Sequence, residues 1–269
     1  MKLIRALYRT IALLLYLSFL TPFVLLFGNI KARGKNSTLG PIVVNRVCQL
    51  YLRVLNVDVS VDKPHLLENF EGFIFSNHTS YMDIITGFSV VPVRFVAKDG
   101  VKKMPFIGKI ATAIGCVYVK RQERNSRKEA RQALQGMDRY YPPVVLYPEG
   151  RTAPVGHLLP FRRGAFEIAQ SSSIPYVLVA ITYSLPRLVD WRSRSFNDAA
   201  WAILSRKERL YVKLYVIDQQ SPTPNDDPDD LRQDAESKML SALVGYGNYA
   251  PEIFDGEWRT HHQMVAAKK

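Results

Sequence analysis

From residue 57 to residue 182 short apolar runs alternate with stretches in which apolar residues recur every three or four positions. This alternation limits what the chain can fold into more than any other feature. The runs at 57–61, 73–75, 93–97, 117–119, 144–147 and 176–182 read as strands. Between them, the stretches through Ile84 and Phe88, through Ala130, Leu134 and Met137, and through Phe166 and Ala169 have helical spacing. Strand and helix in turn imply one sheet with helices on its faces. The expected fold is therefore α/β, a sheet with flanking helices, over residues 57–220. Residues 210–217 supply one more strand, and residues 231–244 form a surface helix after the acidic, proline-containing loop at 226–230.

One turn in this pattern carries chemistry. The strand at 73–75 runs into Asn77-His78-Thr79-Ser80-Tyr81-Met82-Asp83, and apolar Ile84-Ile85 follows directly. Within a continuous helix a five-residue spacing would set two side chains about 140° apart. His78 therefore belongs on the turn and Asp83 in the first helical turn, where its carboxylate can reach back to the imidazole. An aspartate accepting from Nδ1 leaves Nε2 free as a base and stabilises the imidazolium. The alternative is a well-capped helix start, rich in Asn, Thr, Ser and Asp, beside an incidental histidine.

Further blocks accompany that turn, and with them the sequence resembles the glycerolipid acyltransferases of the 1-acylglycerol-3-phosphate type. His78 and Asp83 match that family's His-x4-Asp signature. Gly115-Cys116-Val117-Tyr118-Val119-Lys120-Arg121 is similar to its second block. Tyr147-Pro148-Glu149-Gly150-Arg151-Thr152 is similar to its Pro-Glu-Gly-Thr-Arg block, with the last pair transposed. Phe161-Arg162-Arg163-Gly164-Ala165-Phe166 and Ile174-Pro175-Tyr176-Val177-Leu178-Val179 resemble its closing blocks. The resemblance, confined to about residues 73–181, implies catalysis by His78 and Asp83. It also implies substrate binding by Arg121, Glu149, Gly150, Arg151 and, at the rim, Lys98.

Ahead of the sheet, residues 10–30 form an uncharged run of 21 residues, long enough to cross a hydrocarbon core as a helix. Pro22 interrupts the run, and basic residues flank both ends, Lys2, Arg5 and Arg9 before and Lys31, Arg33 and Lys35 after. The positive-inside rule then leaves orientation open, and so does the choice between a span and a helical pair dipping into one leaflet. A secretory signal is a third reading, opposed by the lack of an Ala-x-Ala site. Residues 42–55 are amphipathic, so residues 1–56 are expected to form a membrane-associating helical segment, 57–220 the α/β domain, and 221–269 the acidic loop, helix and tail.

The net charge of +12 points to a polyanionic partner. Eleven basic residues against three acidic ones lie between Arg94 and Arg131. They are not interleaved with stacking aromatics in a recognisable nucleic-acid module, and nucleic acid is excluded as a partner in favour of anionic lipid. Trp191 and Trp201 among arginines suit either a membrane interface or the core. Cys48 and Cys116 give no disulfide framework. No metal cluster, P-loop or dinucleotide fingerprint is present, so neither metal nor cofactor is expected.

These features predict a membrane enzyme of lipid metabolism, acting on the cytoplasmic face. It would move a fatty acyl group from acyl-coenzyme A or acyl carrier protein, as co-substrates, to a lysolipid hydroxyl. Lysophosphatidic acid is the first choice of acceptor, and another lysolipid such as a lyso-ornithine lipid the second. A non-catalytic lipid-binding protein of the same fold is the alternative from a different class.

Overall fold

In the computed structural model, residues 1–32, 38–120, 123–137, 140–192, 194–247 and 249–254 are described. The elements are α1 (Lys2–Phe27), α2 (Leu39–Val54), β1 (Val57–Val61), β2 (Phe73–Ser76), α3 (Met82–Val90), β3 (Arg94–Lys98), α4 (Ile107–Ala113) and β4 (Val117–Val119). There follow α5 (Arg124–Gln135), β5 (Val144–Leu146), α6 (Arg163–Ser171), β6 (Tyr176–Tyr183), α7 (Phe196–Ser205), β7 (Leu210–Gln220) and α8 (Pro228–Tyr246). The strands form one sheet in the order β1-β7-β6-β2-β5-β3-β4. Strands β6, β2, β5, β3 and β4 are parallel, while β7 runs antiparallel to β6 and carries β1 parallel to itself. The sheet is thus mixed, with its reversed strands gathered at one edge.

Strand alternation divides the core in two. Ile74, Val145, Val177, Val179, Ile181, Val212 and Leu214 face one side, where Tyr51, Leu52 and Leu55 of the α2 region, Met82 of α3 and Ile203 of α7 cover them. On the other side Phe73, Phe75, Val144, Tyr176 and Leu178 meet Leu134 of α5, Phe166 and Ala169 of α6, and Ala235, Met239 and Leu243 of α8. Central strands covered on both faces read as continuous apolar runs, which is why β2 and β6 were plain in the sequence.

Three findings differ from the sequence reading. First, residues 2–27 form one helix through Pro22 and not a helical pair within that segment. One stripe of α1 (Ala6, Arg9, Leu20, Thr21, Val24) is buried on the protein. Near its C-terminal end α1 shares a core with Val44 of α2 and Ile110 of α4. Secondly, residues 191–209 hold a real helix, α7, whose start is capped by Ser195 accepting from the Asp198 amide. Thirdly, α8 is longer than expected and is more than a surface helix, since its fully buried Ala235, Met239 and Leu243 recur every four residues. A helix that is polar on average hides so narrow a stripe from a composition-based reading. The paired histidines at 261–262 lie outside the described residues.

Candidate active site

The functional turn is built where β2 ends. Asn77 Nδ2 donates to the Ile181 carbonyl at 3.0 Å and Asn77 Oδ1 accepts from the Ile181 amide at 2.7 Å, so the turn is tied to β6. His78 follows, and its Nδ1 lies 2.8 Å from Asp83 Oδ2. That same oxygen accepts from the amides of Thr79 at 2.8 Å and Ser80 at 2.9 Å. The other oxygen, Oδ1, accepts from the Tyr183 hydroxyl. Asp83 sits in the first turn of α3, where a carboxylate is favoured by the exposed amides. With the carboxylate against Nδ1, the tautomer carrying the proton there is selected and Nε2 remains an acceptor.

Two contacts hold the imidazole. The Tyr147 ring stacks on it at a centroid distance of 4.0 Å and 16° between planes. Its backbone is fixed from both ends, the His78 amide donating to Glu149 Oε1 at 2.6 Å and the His78 carbonyl accepting from the Ala153 amide at 2.6 Å. Glu149 also accepts from the Leu159 amide at 2.9 Å. The carboxyl is buried, and burial pushes it up to about 8, with the two amide bonds acting in the opposite direction. Glu149 therefore spends both oxygens on backbone amides, bracing the turn that carries His78.

The remaining residues singled out from the sequence are distributed along the same edge. Gly150 adopts φ +71°, which favours glycine, and a Cβ there would meet Arg162 Nε at 2.5 Å and displace that side chain. Arg162 Nε in turn donates to the Glu149 carbonyl at 3.3 Å. Arg151 and Lys98 are exposed, Arg151 on the loop after β5 and Lys98 at the end of β3. Arg121 lies outside the described residues. Ser80 is fully buried and its hydroxyl accepts from the Met82 amide at 3.1 Å, within the turn ahead of α3.

Four contributors were not singled out from sequence. Besides Tyr147 and Tyr183, Tyr249 brings its hydroxyl within 3.3 Å of both Asn77 Nδ2 and Thr79 Oγ1. Arg192 is buried and donates to the Thr152 carbonyl, bracing the loop behind Arg151 from within the protein. Burial, and next to it the charge of Arg151, lowers the pKa of Arg192. A Tyr in a strand and an Arg in a loop are common, and only the fold brings them here. Among the described residues no group of three or more His, Cys, Asp or Glu side chains could hold a metal ion.

Comparison with known proteins places this geometry in context. Residues 58–182 match the family model described as Acyltransferase. The chain is 36% identical over 116 residues to a lysophospholipid acyltransferase, LPEAT1, of Arabidopsis thaliana, a match spanning 40% of this chain and 28% of the relative. It is 28% identical over 198 residues to the 1-acyl-sn-glycerol-3-phosphate acyltransferase of Neisseria gonorrhoeae, spanning 72% of this chain and 77% of that one. The crystal structure of the 1-acyl-sn-glycerophosphate acyltransferase PlsC from Thermotoga maritima superposes with a TM-score of 0.68 at 20% identity, over 91% of this chain and 95% of the other, and so shares its fold. The stretch at 58–182, which encloses the His78–Asp83 turn, is the part of the chain that is similar to acyltransferases.

Proposed function

We propose that the chain transfers a fatty acyl group from a thioester to the free hydroxyl of a lysophospholipid, with His78 as general base. The observation that carries this reading is the His78 Nδ1 to Asp83 Oδ2 contact at 2.8 Å, on a carboxylate held by two amides and a phenol. Nε2 takes the proton of the acceptor hydroxyl as its oxygen attacks the thioester carbonyl. The C–S bond then breaks, and the thiolate leaves with the proton returned from the imidazolium. Asp83 orients the ring and stabilises its charged form.

Direct transfer is favoured over an acyl-enzyme. Ser80 is fully buried with its hydroxyl bonded to the Met82 amide, and burial pushes the Cys48 thiol up to about 12 and the Cys116 thiol up to about 11, which suppresses the nucleophilic thiolate. For the acceptor we favour lysophosphatidic acid, whose phosphate would meet Arg121 and Arg151, arginine being suited to bidentate phosphate contacts. The names of the two relatives differ in acceptor, so the head group is the quantity to measure. The donor would be acyl-coenzyme A or acyl carrier protein, reaching the site from the cytoplasm.

Attachment to the bilayer is assigned to α1. Its outer face leaves Leu3, Ile4, Leu7, Leu14, Leu15, Phe19 and Leu26 at least half exposed, while its inner stripe stays docked. A helix about 39 Å long by its rise, fastened to the domain near both ends, fits a position lying in one leaflet. Its basic residues suit an anionic surface.

His78→Ala should fold and bind membranes like the parent while losing roughly 10²–10⁴-fold in turnover. Thiol release from a long-chain acyl thioester in the presence of lysolipid measures it, and near-normal turnover would remove the mechanism. In the same assay, Arg151→Ala should raise KM for lysophosphatidic acid more than for a phosphate-free lysolipid.

A further inference from the structure

A cavity of about 470 Å³ opens beside Thr79, the neighbour of His78, and the chemistry described so far does not use it. Its floor is β7, where Tyr211, Lys213 and Tyr215 alternate outward from the core-facing Val212 and Leu214. Thr182 of β6, paired with Lys213 in the ladder, continues the floor. The C-terminal end of α8 forms one wall, Tyr246 stacking on Tyr215 at 3.9 Å and 8° between planes. The volume falls within the roughly 300–1,000 Å³ typical of small-molecule sites.

Position and lining narrow the ligand. The cavity lies on the sheet face covered by α8, opposite the face on which α2, α7 and α1 pack. If α1 meets the bilayer, the acceptor lipid comes from that side and this cavity faces water. Polar and apolar groups share the lining: Lys213 is exposed and makes no ion pair among the described residues, and hydroxyls of Thr182 and several tyrosines stand beside ring faces. A fatty acyl chain would gain nothing from such polar walls. A chain with a phosphate at one end, then a dimethyl carbon and two amides, would find a cation in Lys213, ring faces for its methyl groups and hydroxyls for its amides.

We infer that this cavity binds the phosphopantetheine arm of the acyl donor, which coenzyme A and acyl carrier protein have in common. Lys213 takes the arm's phosphate, the hydroxyls of Thr182 and Tyr246 take its amides, and the arm runs toward Thr79 so that the thioester arrives beside His78. The inference rests on the proposed acyl transfer for its substrate. It adds where the soluble partner sits, and it separates the two substrates onto opposite sides of the sheet.

The test uses the full-length protein with Lys213→Glu and, separately, Tyr246→Ala, both changes at exposed side chains. Each should raise KM for the acyl donor about tenfold, leave KM for the lysolipid unchanged and preserve the melting temperature. The factor should be the same with acyl-coenzyme A and with acyl carrier protein. A rise in acceptor KM, or an unchanged donor KM, overturns the assignment. A loss confined to one of the two carriers also overturns it, because the contact would then be to the nucleotide or to the carrier's surface and not to the shared arm. Calorimetry with coenzyme A on His78→Ala, with and without Lys213→Glu, reads binding without turnover: affinity should survive the first change and fall about tenfold with the second. That arm is independent of the general-base reading, which fails only if His78→Ala keeps its turnover.

Discussion

Asp83 is nearly inaccessible to solvent, yet its two oxygens receive the His78 ring, two amides and the Tyr183 hydroxyl. Such bonds supply the partners that a buried polar group needs. Glu149 receives two backbone amides at its buried carboxyl among the described residues, and burial raises it from 4.5 to about 8. The unfolded chain releases this proton near the ordinary glutamate value, so between those limits the folded state holds a proton that the unfolded state has lost. The stability contributed by protonated Glu149 is therefore complete below the unfolded pKa and disappears as pH rises through about 8. Glu149→Gln cannot titrate. From pH 5 to pH 8 the melting temperature of the parent should decline relative to that of the variant, and parallel curves would refute the assignment.

At the scale of elements, the buried Arg9 guanidinium joins α1 to the domain, and that of Arg206 ties the end of α7 to the end of α2. Arg9 Nε donates to the Val54 carbonyl at 3.0 Å, and its Nη1 donates to the carbonyls of Leu204 and Arg206, each at 2.9 Å. Arg206 donates to the carbonyls of Ile203 at 2.8 Å and Leu55 at 2.6 Å. These carbonyls belong to the C-terminal ends of α2 and α7, which lack intrahelical donors and attract cations. Burial, and then the charge of Arg9, lowers Arg206 to about 10. Arg9→Met keeps the bulk but strips those carbonyls of a donor, at a cost of roughly 2–4 kcal/mol. A fall of several degrees in melting temperature and new protease cleavage in α1 are expected; an unchanged melt and an uncut helix would show that the arginine does not hold it.

For the whole molecule, the proposed orientation places one face of the sheet sandwich toward lipid and the other toward water. Beside α1, the loop into α4 exposes Met104, Phe106 and Ile107 between Lys102, Lys103 and Lys109, an apolar tip with a basic rim. An environment-sensitive fluorophore can be placed on single introduced cysteines, because the half-buried native thiols are raised to about 12 and 11 and will label poorly. On vesicles containing anionic lipid, labels at Leu15→Cys and Phe106→Cys should shift to an apolar environment, while one at Tyr246→Cys stays in water. A lipid-like signal at 246 would reverse the orientation and remove the case for a soluble carrier on that side.

What was legible in the sequence was local. The strands, the end of α3 before Pro92 and the His78–Asp83 pair depend on residues a few positions apart, so periodicity and turn chemistry expose them. The preference for Gly150 was visible as a block, although its reason, φ +71° against the Arg162 side chain, was not. Tertiary structure alone decided the partners drawn from afar: Tyr183 for Asp83 across 100 residues, Tyr249 for Thr79 across 170, and Arg9 for the end of α7 across nearly 200. It also decided that the uncharged N-terminal run, which the sequence left open between a span and a helical pair, is a single helix docked along one stripe, because a buried arginine needs carbonyl partners that only the folded domain supplies. Composition and spacing count residue types along the chain, whereas the satisfaction of buried polar groups depends on which distant backbone ends meet, and that is settled only when the sheet and its helices close.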